Sequence, residues 1–103
     1  MIKVSVLYPN DEGCRFDMEY YLQTHLKLVE DRLGSACKEI TVEAGLGSAA
    51  PDSPAPYVCA GHMVFDSLEA YQQAFAPHVE AIMGDIANYT NVTPVVQIGE
   101  IRR

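Results

Sequence analysis

Tyr57-Val58-Cys59-Ala60-Gly61-His62-Met63-Val64-Phe65 is the stretch whose reading decides the fold. Its β-branched and aromatic content marks a strand. Alternation places Tyr57, Cys59, Met63 and Phe65 on one face and Val58, Ala60, His62 and Val64 on the other. Both faces are mostly apolar, so both need a cover. A sheet that rests one face on its own helices leaves the second for something else to bury.

Downstream, Asp66 or Ser67 caps a helix, with Glu69 placed for a capping box if Asp66 is the cap. Leu68, Tyr71 and Phe75 form its apolar stripe. Pro77 interrupts it, and Val79, Ile82, Met83 and Ile86 resume the helical period. Thr93 to Ile101 closes the chain as a strand. Upstream, residues 47–56 are rich in Ser, Ala, Pro and Gly and read as an exposed loop. Before that loop, Lys38 to Leu46 alternates, with Ile40, Val42, Ala44 and Leu46 on one face and Glu39, Thr41 and Glu43 on the other.

The N-terminal third repeats the pattern. Ile2 to Tyr8 is a β-branched run stopped by the turn residues Pro9-Asn10-Asp11-Glu12-Gly13. A helix opens at Asp17, whose carboxylate can cap it while Phe16 and Tyr21 form a hydrophobic staple. Met18, Tyr21, Leu22, His25, Leu28, Val29 and Arg32 make its stripe, and Gly34 stops it. The order is β-α-β, loop, β-α-β within one domain, residues 1–103. With right-handed crossovers this is an α+β, ferredoxin-like unit: a four-stranded antiparallel sheet with both helices on one face. The bare face is expected to meet the same face of a second copy in a homodimer. The alternative is that loop 47–56 folds over it.

Composition excludes several roles. Seven Lys and Arg against 14 Asp and Glu leave a net charge of -7, which argues against nucleic acid or anionic membrane as a partner. Cys14, Cys37 and Cys59 form no C-x-x-C pair and no disulfide framework. Residues 1–8 already read as a strand, so no secretory leader is expected, and no apolar run has membrane-spanning length. The expected compartment is the cytoplasm, where the N-x-T triplets at Asn88 and Asn91 carry no meaning.

Few residues carry chemistry. His25 lies on the apolar stripe of the first helix and points toward the sheet, with Tyr21 a turn away as a hydrogen-bond partner. An imidazole in a partly dry pocket titrates near neutral pH and can move a proton; the alternative is a core histidine bonded to a backbone carbonyl. His78, after Pro77, sits at or beside the inward stripe of the second helix and is either a second base or a solvated histidine. Asp85 lies seven residues beyond it, roughly 10 Å along the axis and too far for a direct pair. It is either an orienting carboxylate for His25 or a surface acid. His62 is a pocket group if its face lines one, and a sheet histidine otherwise. Tyr20 and Tyr89 either line a pocket or pack. No metal-ligand spacing and no Gly-rich phosphate loop are present, and no cofactor is expected.

Three motifs carry a resemblance that runs from end to end. They are Ile2-Lys3-Val4-Ser5-Val6-Leu7-Tyr8-Pro9, Phe16-Asp17-x-x-Tyr20-Tyr21-x-x-x-His25 and Asp85-Ile86-x-x-Tyr89-Thr90-Asn91-x-x-Pro94. In these the chain resembles the EthD family of dimeric α+β-barrel proteins, named for bacterial ethyl tert-butyl ether degradation. The resemblance implies a barrel closed by two sheets packed face to face. It also implies an association with a cytochrome P450 system that attacks alkyl ethers, with the chain binding a small organic molecule as an accessory. Two alternatives remain: a cofactor-free isomerase, cyclase or oxygenase with His25 as general base, and a haem-dependent monooxygenase with His25 or His78 as axial ligand.

Overall fold

Strand β1 (Ile2–Pro9), built on the β-branched Ile2, Val4 and Val6, lies inside the sheet. In the computed structural model, which describes residues 1–103, it pairs antiparallel with β3 (Tyr57–Phe65) on one side and β4 (Val95–Glu100) on the other. Strand β2 (Glu39–Ala44) pairs antiparallel with β3, giving the order β2-β3-β1-β4. This is the expected ferredoxin-like sheet. Val4 stands opposite Met63 and Ile98, and Val6 opposite Gly61 and Val96. These side chains face the helices.

The first helix starts where the sequence predicts. The Asp17 carboxylate accepts the Tyr20 backbone N–H at 3.0 Å, and the Phe16 and Tyr21 rings meet with centroids 5.2 Å apart. Helix α1 (Met18–Tyr20) then passes through a π-helical turn, Tyr21–His25, into α2 (Leu26–Leu33). The turn is set by the Leu26 N–H reaching back to the Tyr21 carbonyl. Such single wide turns concentrate at functional sites, and the hydrophobic period gave no sign of this one. Gly34 ends the helix at φ 59°, a left-handed conformation that glycine adopts without a Cβ penalty.

At the cap of the second helical arm the structure decides between the two expected residues. Ser67, not Asp66, accepts the Ala70 N–H at 3.0 Å and opens α3 (Leu68–Phe75). Asp66 instead stands 3.8 Å from the Lys38 ammonium. Pro77 breaks the arm as predicted: a 3-10 turn over Ala76–His78 separates α3 from α4 (Val79–Gly84). Strand β2 stops short of the predicted Leu46, which is exposed; the last contact with β3 is made by Gly45, which lies close under the Tyr57 carbonyl, where a Cβ has no room. Residues 47–56 stay largely exposed and are anchored at their end, where Asn10 donates to the Pro56 and Ala55 carbonyls.

Helices and sheet enclose two separate cores. Val4, Val29, Leu33, Phe65 and Ile82 form one, and Tyr8, Tyr21, Cys59 and Tyr89 the other. Full burial of a side chain such as Leu33 or Phe65 contributes about 1.5–3 kcal/mol. Between the two cores the packing is incomplete. The face away from the helices carries Ser5, Leu7, Thr41, Glu43, Ala60, His62, Val64, Val95 and Gln97, and no element of the chain packs across it. Its one bonded chain is polar: the Ser5 hydroxyl lies 2.8 Å from His62 Nδ1, and His62 Nε2 lies 3.1 Å from Glu43 Oε1.

Candidate functional site

The gap between the two cores is a cavity of about 200 Å³, walled by side chains such as Val4, Val29, Ile40, Phe75 and Ile82. Nearly all of its lining is apolar. His25 enters the wall from the π-helical turn, where its side chain is only 6% exposed. Its Nδ1 lies 2.9 Å from Asp85 Oδ2. A carboxylate can only accept, so Nδ1 carries the proton and Nε2 keeps its lone pair. No side chain or backbone group of the protein bonds that Nε2, and the ring borders the cavity.

Asp85 follows α4 and is itself held from two further directions. Tyr20 Oη donates to its Oδ1 at 2.7 Å and Asn88 Nδ2 donates to the same oxygen at 2.9 Å. Burial alone would raise the Asp85 pKa, but hydrogen bonds from Asn88, Tyr20 and His25 outweigh it and hold the carboxyl below its usual 3.8. Burial pushes the His25 pKa below 6.5, and the Asp85 carboxylate only partly offsets this. At neutral pH the pair is therefore a carboxylate orienting a neutral imidazole. That is the arrangement of a general base.

Backbone bonds fix the geometry. The Asp17 N–H donates to the Tyr89 carbonyl at 2.8 Å, the Thr90 hydroxyl donates to the Arg15 carbonyl at 2.7 Å, and Phe16 and Thr90 form an isolated β-bridge. Asn91 adds bonds to Arg15 and Gly13. The segment after α4 is thereby clamped against the start of the first helix. Inside the clamp the Tyr21 ring stacks on His25 with centroids 5.7 Å apart, and Tyr89 lies 4.7 Å from the imidazole. Tyr8 and Tyr89 share a buried hydroxyl–hydroxyl bond of 2.7 Å.

The structure brings His25, Tyr21, Asp85 and Tyr89 together and leaves the other two candidates apart. Tyr21 was expected to bond His25; it stacks on the ring instead, and Asp85 takes the bond. Of the two roles weighed for Asp85, the orienting carboxylate is the one formed. His62 borders the cavity through its strand but turns its imidazole to the opposite face, toward Ser5 and Glu43. His78 does not border the cavity, and its Nδ1 is buried without a partner. Sequence reasoning passed over Asn88 and Tyr8. The spacing of Asn88 three residues beyond Asp85, and the inward alternation of Val4, Val6 and Tyr8, were the available signals.

The EthD domain model matches residues 15–93, which span both halves of this clamp. The chain belongs to the EthD family. An EthD-like protein from Ralstonia eutropha JMP134 shares 46% identity with this EthD chain, covering 99% of it and 94% of the relative, with a TM-score of 0.92. An EthD family protein from Bacillus halodurans C-125 shares 23% identity over 98% of each chain, with a TM-score of 0.69. A dimeric ferredoxin-like protein from Bacteroides fragilis NCTC 9343 shares 14% identity and a TM-score of 0.55 over 97% of this chain and 94% of its own, which shows the fold alone. None of the curated proteins matches the sequence. No helix of this EthD chain is long and apolar enough to cross a membrane.

The buried neutral imidazole makes stability depend on pH. Unfolded His25 takes up a proton near 6.5, while the folded residue resists it to lower pH, so its contribution is complete above about pH 7 and falls as the pH drops through that window. Urea unfolding between about pH 7.5 and 5 should show wild-type stability declining more steeply than that of His25→Gln. Parallel curves for the two proteins would contradict the assignment.

Proposed function

We propose that this chain binds a compact, mostly apolar organic molecule in the cavity between helices and sheet, and that His25 takes a proton from it. One observation carries the reading: the only basic lone pair on the cavity wall belongs to an imidazole whose other nitrogen is pinned by a carboxylate. A histidine serving the core alone needs neither an apolar void beside it nor a second side chain whose carboxylate is held by three donors. As a member of the EthD family, the chain is read as serving the breakdown of alkyl ethers such as ethyl tert-butyl ether beside a cytochrome P450 system. Its part would be to hold an intermediate rather than to oxidise one. A volume of about 200 Å³ suits a molecule of a few carbons. It falls below the roughly 300–1,000 Å³ of pockets for larger ligands and leaves no room for a haem.

The same reading has two copies pairing through the bare sheet face. Leu7, Ala60 and Val95 give that face an apolar component, and His62, held between Ser5 and Glu43, presents a polar centre with few free groups. The Bacteroides fragilis protein of this fold is dimeric, which supports the pairing.

Cyclohexanol is a suitable probe of the cavity. Its titration should move the amide resonances of Val29, Gly61 and Ile82 with a Kd of about 1 mM or tighter, near -4 kcal/mol, while glycerol leaves them unmoved. Resonances unmoved by cyclohexanol at saturation would sink the reading. For the pairing, light scattering should return twice the 11.3 kDa chain mass at micromolar concentration, and Ala60→Glu, which sets a second carboxylate beside Glu43, should return the monomer with its circular dichroism intact. A monomeric wild type would contradict it.

A further inference from the structure

The cavity wall holds a second polar group besides His25 Nε2. Tyr8, Tyr21 and Tyr89 bring three phenolic hydroxyls into one cluster, yet the only well-formed bond among them joins Tyr8 to Tyr89. Tyr8 and Tyr21 both border the cavity. The Tyr21 hydroxyl lies near that of Tyr8, toward which it can donate, and its single O–H can turn from Tyr8 to a ligand oxygen. Its position is built rather than incidental. It rests on Gly61, the strand position where a Cβ would collide with it, so glycine makes the room that lets the hydroxyl reach the sheet side of the cavity. The ring below that hydroxyl stacks on His25 with planes 18° apart, and the two residues enter the cavity wall from the same π-helical turn. Burial raises the Tyr21 pKa far above neutrality, so the group remains a donor at any physiological pH.

We propose that the ligand is a compact carbonyl compound with a C–H bond next to the carbonyl, and that Tyr21 Oη donates a hydrogen bond to its oxygen while His25 Nε2 takes the carbon proton. This rests on the function proposed above and names its substrate class. The wall offers one lone pair and one O–H that can turn to a ligand, within otherwise apolar surroundings. Its complement is a small apolar molecule that gives one proton and presents one acceptor oxygen. In the step, the Cα–H bond breaks and its proton forms a bond to Nε2. The electron pair it leaves becomes the C=C bond of an enolate, and the C=O π pair moves onto oxygen, where the Tyr21 hydroxyl faces the new charge. The imidazolium so formed is balanced by the Asp85 carboxylate at 2.9 Å. Return of the proton to the same or another carbon restores neutral His25. The net change is an isomerisation or a proton exchange and consumes no oxidant, reductant or cofactor.

Cyclohexanone in D2O tests this. Wild-type protein should catalyse replacement of the α-hydrogens by deuterium, followed by proton NMR, well above the buffer rate. Tyr21→Phe keeps the ring and its stacking and removes only the donor. It should lower the rate constant for bound cyclohexanone by about 10²–10³-fold, as loss of one oxyanion donor does elsewhere, and His25→Ala should abolish catalysis. Cyclohexanol, which has no carbonyl, serves as the control that each variant is folded and that its cavity is open. Cyclohexanone bound by wild type without exchange, or exchange undiminished in Tyr21→Phe, would overturn the carbonyl assignment alone. Failure of wild type to bind either compound would overturn this assignment and the function beneath it together.

Discussion

The Asp85 carboxylate is the point on which the site hangs. It follows the second helical arm and accepts from Tyr20 and His25 on the first and from Asn88 three residues on. Each of those bonds has an ionised acceptor, the class that contributes most per bond when desolvated. Together they fix the separation of the two arms at one end of the domain, and they decide which imidazole nitrogen carries the proton. The bridge between Phe16 and Thr90 reinforces the same joint from the backbone. At the other end the arms meet the sheet through ordinary apolar packing, with Val29, Leu33 and Ile82 against Val4 and Phe65. The cavity is what remains between a polar joint and an apolar one.

That division explains why a domain this small keeps an unfilled space. Tyr8, Tyr21 and Tyr89 are large, and with Phe16 their rings meet edge-on or tilted, a preferred aromatic geometry. Such a cluster is stiff and does not slump into the adjoining void. Gly61 belongs to the same design, because a side chain there would displace the Tyr21 hydroxyl and occupy the space beside it. The bare sheet face obeys a different rule. Its central histidine is tied to Ser5 and Glu43 and turns its ring to the far side of the sheet from the cavity.

Much of the fold was legible in the sequence because it rests on short-range rules. The Asp17 cap and the Phe16–Tyr21 staple, the strand run from Ile2 to Tyr8, and the break at Pro77 each involve residues a few positions apart, and each is formed. Asp66 and Ser67 were equally good caps by residue type, and Ser67, in extended backbone, takes the role. The site was legible only in its parts. His25 and Asp85 could each be picked out, but they stand 60 residues apart and meet because the chain's two halves fold onto one face. No spacing rule announces such a pair. The π-helical turn was hidden for a related reason: it adds one backbone step without altering which residues are apolar, so the stripe of Tyr21, His25 and Val29 looks the same with or without it.

The chemistry of the site rests on the protonation of one ring. Long-range proton–nitrogen NMR of His25 at pH 7 measures it directly. The structure predicts a neutral imidazole with its proton on Nδ1 and a pyridine-like Nε2, titrating below 6.5. An imidazolium at pH 7, or a neutral ring with the proton on Nε2, would leave no base facing the cavity and would contradict the central claim.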